Sequence, residues 1–220
     1  MTQQPHQKII LDLSRTHLRP IGLVQLGRSR TWLDDHGWWT TVVEFQPSSF
    51  RKGTYLNAGV NFHWYPQHFL SYDLSYRAPG FVEYDNDNQF EKGVRKYVDI
   101  ALEKIEYYRK GLSDLKSASS FILKRTKGSW GFSWTTYHRA NAYAISMKAR
   151  KARSELMKII KGEAQYKWSK ELQERAKLLH CFLPENLDKY INKLREYIVI
   201  ARQLKKLPKM ALNFFLQQAR

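Results

Sequence analysis

The densest chemistry in this 220-residue chain is cationic. Lys148, Arg150, Lys151, Arg153, Lys158 and Lys161 fall within one short stretch, and Lys205, Lys206 and Lys209 form a second group near the end. Side chains of this kind neutralise phosphates and release condensed counterions, so the pattern points to nucleic acid or another polyanion. A solvated basic surface kept for solubility explains the same charge without a ligand. A different grouping lies upstream, where Glu44, Gln46, Asn57, Asn61, His63, Asp73 and Arg77 recur at alternate positions. On neighbouring strands such residues come within reach of one another, with Tyr55 beside them as a surface on which a base could stack. The simpler expectation is a solvated or helix-covered face whose polar groups pair among themselves. A third pattern, Asp35 followed by Glu44-x-Gln46, echoes the paired carboxylates that hold Mg²⁺ in nucleases, although Asp35 falls in a turn and Gln replaces a basic residue.

Other chemistries find little support. The single cysteine, Cys181, excludes an intramolecular disulfide and any multi-thiolate site, and beside His180 it reads as an inert residue at a core edge. His63 and His68 lack ligand spacing, no serine sits in a nucleophile-elbow glycine pattern, and no glycine loop is built to cradle phosphates. No metal, cofactor or catalytic residue is therefore expected beyond the Asp35, Glu44 and Gln46 alternative.

These residues must be positioned by folded elements. A hydrophobic content of 43% with 14% aromatic residues excludes a mostly disordered chain. Charges interrupt the apolar stretch near the N-terminus, which argues against a signal peptide, and no run reaches the length of a membrane span. The expected setting is cytoplasmic. The formal charge of +17 is uneven: residues 1–123 carry 15 Lys and Arg against 13 Asp and Glu, whereas residues 124–220 carry 22 against 7. This step suggests an α+β sheet domain over 1–123 and a basic helical region over 124–220, with one core shared by both as the alternative.

Helical spacing of Ile9, Ile10, Leu13 and Leu18 predicts a helix over 6–18, stopped by Pro20. Alternation then predicts four strands, over 23–33, 38–46, 54–64 and 69–77, in an antiparallel meander. A long helix over 89–110 carries Phe90, Val94, Tyr97, Val98, Ala101, Ile105 and Tyr108 on the side that packs on the sheet. Downstream, one helix from Thr135 to Lys161 is expected, with Ala140, Ala144, Ile145, Ala149, Ala152, Leu156 and Ile159 as its apolar stripe. A second holds Trp168, Leu172, Ala176 and Leu179. In a third, Leu187, Ile191, Leu194, Ile198, Ala201 and Leu204 or Lys205 recur at a spacing that suits a bundle or a homodimer through 187–205. A final piece, ending Phe214-Phe215-Leu216 near Lys205, Lys206 and Lys209, offers an anionic membrane surface as a variant partner.

The succession Gly27-Arg28-Ser29-Arg30-Thr31-Trp32, Val42-Val43-Glu44-Phe45-Gln46-Pro47-Ser48 and Tyr55-Leu56-Asn57-Ala58-Gly59-Val60 resembles a group of small bacterial proteins catalogued as a domain of unknown function. The resemblance covers about residues 5–125 and centres on the Phe45-Gln46-Pro47-Ser48 signature. It implies a helix, a strand meander and closing helices, and it brings no catalytic residues. The leading expectation is a non-catalytic bacterial interaction protein that binds nucleic acid or an acidic protein through its C-terminal helices. The alternatives are a protein-binding immunity or defence accessory module and a divergent Mg²⁺-dependent nuclease.

Overall fold

A computed structural model describes residues 4–128 and 131–210. The fold is α+β, and the chain divides into two compact units, Met1–Phe62 with Phe69–Lys110 and His63–His68 with Gly111–Arg220. The units divide after Lys110, ahead of the charge step near residue 124, and Gly111 packs on Phe121 within the second unit, where a Cβ would meet the ring at 2.4 Å.

The first unit opens with α1 (Pro5–Leu18), where proline at the first turn costs no hydrogen bond. Strands β1 (Val24–Gln25), β2 (Thr31–Asp35), β3 (Trp39–Gln46), β4 (Gly53–Phe62) and β5 (Leu74–Arg77) follow in antiparallel order, and β6 (Val82–Glu83) pairs with the start of β4. The strand expected over 23–33 is interrupted, since Gly27 takes φ 56° and Ser29 folds back onto the Leu26 carbonyl through both its N–H and its hydroxyl. The strand expected over 69–77 starts late because the Asp73 carboxylate accepts the Phe62 N–H at 2.7 Å, replacing a strand carbonyl.

Trp32, Val43, Phe45, Leu56 and Ala58 line one face of the sheet. They are covered by Ile10, Leu13 and Leu18 of α1 and by Phe90, Val94, Val98, Ala101 and Ile105 of α2 (Asp87–Gly111). Each fully buried side chain of the size of Phe45 or Leu56 stabilises the fold by about 1.5–3 kcal/mol. Gly93 permits the close approach of α2 to β6, as a Cβ there would lie 2.5 Å from Val82.

The second unit is helical: α3 (Leu115–Arg125), α4 (Trp134–Ile145), α5 (Ala149–Lys161), α6 (Lys167–His180) and α7 (Leu187–Leu204). The segment His63–His68 is keyed into it. The Trp64 indole donates to His138 Nδ1 at 2.9 Å, and the Tyr137 hydroxyl donates to the Trp64 carbonyl at 3.1 Å. The single helix expected from 135 to 161 is two. Met147 takes φ 60°, its N–H bonds to the Ala144 carbonyl, and the Lys148 N–H reaches back to Tyr143, which closes α4 with a left-handed cap. On α7, Ile191, Leu194, Ile198 and Ala201 of the stripe expected to serve a bundle or a homodimer are buried within the chain, whereas Leu204 is exposed. Cys181 is exposed rather than at a core edge. The Phe214-Phe215-Leu216 piece lies outside the described residues. Among the described residues no helix is long and apolar enough to cross a membrane.

A buried ion pair ties β2 to α2 in the first unit. Arg109 grips Asp34 with Nε at 2.8 Å and Nη2 at 2.9 Å, donates to the Ile21 carbonyl at 2.7 Å, and shares the carboxylate with His36 at 2.8 Å. Burial raises the Asp34 carboxyl, but the His36 and Arg109 hydrogen bonds outweigh it and hold the group below its ordinary value. The resulting stability is complete above the unfolded carboxyl value of about 3.9 and is lost as the pH falls through the lower folded value. Asp34→Ala is expected to cost about 2–3 kcal/mol at pH 7, because Arg109 retains some contact with water. Urea titrations of both proteins at pH 7 and pH 3 should show that difference shrinking at the lower pH.

Candidate functional site

Helix α5 (ARKARSELMKIIK) contains one carboxylate, and the structure turns it inward. Glu155 is buried, accepting Lys158 Nζ at 2.9 Å and Arg139 Nη2 of α4 at 3.4 Å. Arg139 also donates to the Thr126 carbonyl at 3.3 Å, so one cluster links the ends of α3, α4 and α5. Ala152, Leu156 and Ile159 are buried beside Glu155. The face left outside carries Arg150, Arg153, Ser154, Met157, Lys158 and Lys161, spaced i, i+3, i+4, i+7, i+8 and i+11.

This face lines an open hollow of about 630 Å³, completed by His180 at the end of α6 and by Pro184. A second hollow of about 510 Å³ shares Arg150 and Pro184 with it and adds Met147, Lys148, Lys151 and Glu185. The six cations expected to bind nucleic acid around α5 therefore line two adjoining depressions. Lys148, Arg150, Lys151 and Lys161 make no ion pair among the described residues, and Arg153 donates to the neutral imidazole of His180 at 3.2 Å. From Arg150 to Lys161 the face runs about 16 Å, the length of four to five nucleotides of one B-form strand. Lys205, Lys206 and Lys209 follow the end of α7, where Lys206 takes φ 56° in a second left-handed cap, and they line neither hollow.

Beyond Lys161 the character changes from cationic to aromatic. Gly162 abuts Phe132, where a Cβ would meet the Phe132 Cβ at 2.7 Å and a ring carbon at 2.9 Å, and Phe132 lies 6.0 Å from the Trp168 ring. Trp168 stacks on Trp134 at 5.8 Å with planes 22° apart and on Tyr166 at 6.3 Å with planes 6° apart. Trp168 is 44% exposed and Tyr166 64% exposed, so Trp168 is not the core residue that the α6 pattern predicts. Tyr166 instead sits at the N-cap, where its N–H donates to Ser169 Oγ at 2.9 Å. The spacing of the α5 face and the Tyr-x-Trp pair were present in the sequence, but only the packing of α5 and α6 reveals which sides they present.

The polar sheet positions divide. Glu44, Asn57 and Arg77 form one row across β3, β4 and β5, with Gln46 and Tyr55 in the next. Asn57 Nδ2 donates to Gln46 at 2.8 Å and to Glu44 at 3.2 Å, Arg77 donates to Gln46 at 3.1 Å, and the Tyr72 hydroxyl donates to Glu44 at 3.2 Å. Burial first, then the Glu44 carboxylate, raises the Tyr72 phenol far above its ordinary value. The Tyr55 ring is occupied by the Arg77 guanidinium at 4.1 Å and by Phe81 at 4.7 Å. Asn61 is fully buried and bonds Ser71 and Asp73 at the other end of the strand, and His63, also buried, belongs to the helical unit. The seven positions thus do not converge.

Asp35 is not brought to Glu44 and Gln46 either. It pairs with Thr40 while Glu44 pairs with Thr31, four residues along β3, or about 13 Å. Asp35 Oδ1 is turned to the Gly37 N–H at 3.0 Å in the hairpin. Among the described residues no group of three or more His, Cys, Asp or Glu side chains is placed to share a metal ion.

No protein family, curated protein or solved structure matches the chain.

Within the hollow, burial and then the adjacent Arg153 charge lower the His180 imidazole below its ordinary value. Arg153→Gln removes the second cause, and the His180 titration midpoint, followed by NMR, should move upward. No movement would show that Arg153 does not act on His180 in solution.

Proposed function

We propose that this chain is a non-catalytic nucleic-acid-binding protein whose α5 face holds the phosphate backbone of a single strand. The reading is carried by one observation: the cations of α5 line adjoining hollows with almost no carboxylate beside them, while the helix's own carboxylate is buried. Charge placed this way attracts a polyanion by releasing counterions, and four to five phosphates match the length of the face. The exposed stack of Tyr166 and Trp168 beyond Lys161 favours a single strand over a duplex. Unpaired bases can stack on such rings, whereas in a duplex the bases are already stacked on one another. An acidic protein could engage the cations, but it has no comparable use for the flat aromatic pair.

Fluorescence anisotropy with labelled single-stranded and duplex oligonucleotides across a salt series tests the reading. Log affinity for the single strand should fall linearly with log salt, with a slope of about −0.7 per phosphate neutralised. The double variant Lys158→Gln, Lys161→Gln should flatten that slope. Trp168→Ala should weaken single-strand binding by about 1–3 kcal/mol while leaving duplex binding nearly unchanged. Equal binding of both forms, insensitive to Trp168, would exclude the single-strand reading. Absence of binding at low salt would exclude nucleic acid.

A further inference from the structure

A third cationic hollow, in the first unit, has no part in this reading. It measures about 290 Å³ and lies between the first turn of α1 and the loop joining β3 to β4. His6 and Gln7 of α1, Arg30, Ser48, Ser49 and Lys52 line it. We propose that this hollow is a binding site for a phosphate-type oxyanion, held by Arg30, His6 and Lys52.

Arg30 carries the argument. Its Nη1 is buried without a hydrogen-bond partner, and the side chain forms no ion pair, among the described residues. A desolvated guanidinium without an anion costs stability unless something compensates it. The nearby carboxylate is already engaged, since Glu83 accepts Arg51 at 3.1 Å and the Arg51 guanidinium lies over Phe81 at 4.8 Å. His6 is 8% exposed, packed against Tyr84 and Phe90, and its Nδ1 also lacks a partner. Burial, then the Arg30 charge, then the Lys52 charge push the His6 imidazole downward, so both cations lie within electrostatic reach of His6.

The surroundings suit an anion. Gln4 at the N-cap makes no side-chain cap bond; Pro5 has no N–H and the Gln7 N–H bonds the Gln4 carbonyl at 2.9 Å, which leaves the His6 N–H as the first-turn donor, where the helix dipole adds partial positive charge. Ser48 Oγ accepts the Phe50 N–H at 3.1 Å and keeps its own proton to donate. A guanidinium, an imidazole and an ammonium together match the charge and the several acceptor oxygens of a phosphate better than those of a carboxylate. The volume accommodates a tetrahedral oxyanion with several waters, each needing about 30 Å³.

The phosphate could be free, part of a small phosphomonoester, or the terminal group of a nucleic acid. Thermal unfolding with inorganic phosphate, against chloride at matched ionic strength, tests the site. At 10 mM phosphate the wild type should gain about 3 °C for a millimolar site. Arg30→Met should unfold at a higher temperature than the wild type in chloride, because it removes an uncompensated charge, and should lose the phosphate response. Lys158→Gln, Lys161→Gln should keep that response, which separates this hollow from the α5 face. NMR of the full chain should show the His6 ring resonances moving on phosphate addition, with affinity at least about tenfold weaker in Arg30→Met. No phosphate response in the wild type, or an undiminished one in Arg30→Met, would overturn the proposal. Comparison of inorganic phosphate with a trinucleotide bearing or lacking a 5′-phosphate then assigns the source. Tighter binding only of the phosphorylated oligonucleotide indicates a nucleic-acid end, and equal or weaker binding indicates a free phosphate or small phosphomonoester.

Discussion

The basic face of α5 depends on the inward placement of Glu155. A helix with five Lys and Arg and one carboxylate has a single means of forming an internal ion pair, and here that carboxylate is spent on Arg139 of α4 and on Lys158. Once Glu155 is anchored, the 3.6-residue repeat decides the rest. Ala152, Leu156 and Ile159 must accompany it inward, and Arg150, Arg153 and Lys161 must face water. Taking a carboxylate out of water is costly, so the arrangement is better understood as fixing the rotation of α5 than as a large source of stability. The same cluster reaches the Thr126 carbonyl and so joins the end of α3 to the helix that carries the cations.

The sheet unit solves its electrostatics in the opposite way. Its polar side chains satisfy one another in rows, as Glu44, Gln46, Asn57 and Arg77 do, and its buried carboxylate Asp34 is enclosed by Arg109 and His36. Such closed networks rigidify a surface and leave few donors for a ligand. Against that background Arg30 stands apart, since its buried Nη1 has no hydrogen-bond partner among the described residues. The contrast between paired and unpaired cations, more than the total charge, distinguishes candidate binding surfaces from solvated ones in this protein.

The legible parts of the fold were those where one periodicity ran uninterrupted. Alternation along β3 and β4 and the long apolar stripe of α2 gave their elements to within a few residues, because both faces of each are strongly differentiated. The break between α4 and α5 was hidden because the left-handed cap residue is Met147, not glycine, and because Ala144, Ala149 and Ala152 continue the stripe across it. Helix α3 was masked by its composition: LKSASSFILKR has three serines, and its clearest signal is the Asp114 cap accepting the Ser117 N–H. Of the candidate site, the cations of α5 were legible as residue types, but the side on which they gather follows from Glu155. The position of Trp168 fits a buried stripe equally well, and only the packing of α6 exposes it.

A single strand held as proposed, along α5 and stacked on Tyr166 and Trp168, must touch those two rings in solution. Ultraviolet cross-linking of the full chain to a short single-stranded oligonucleotide, with the modified peptides mapped by mass spectrometry, addresses it most directly. The account predicts cross-links at Tyr166 or Trp168, suppressed by unlabelled single strand and not by duplex. Cross-links confined to the sheet unit, or equally suppressed by duplex, would contradict it.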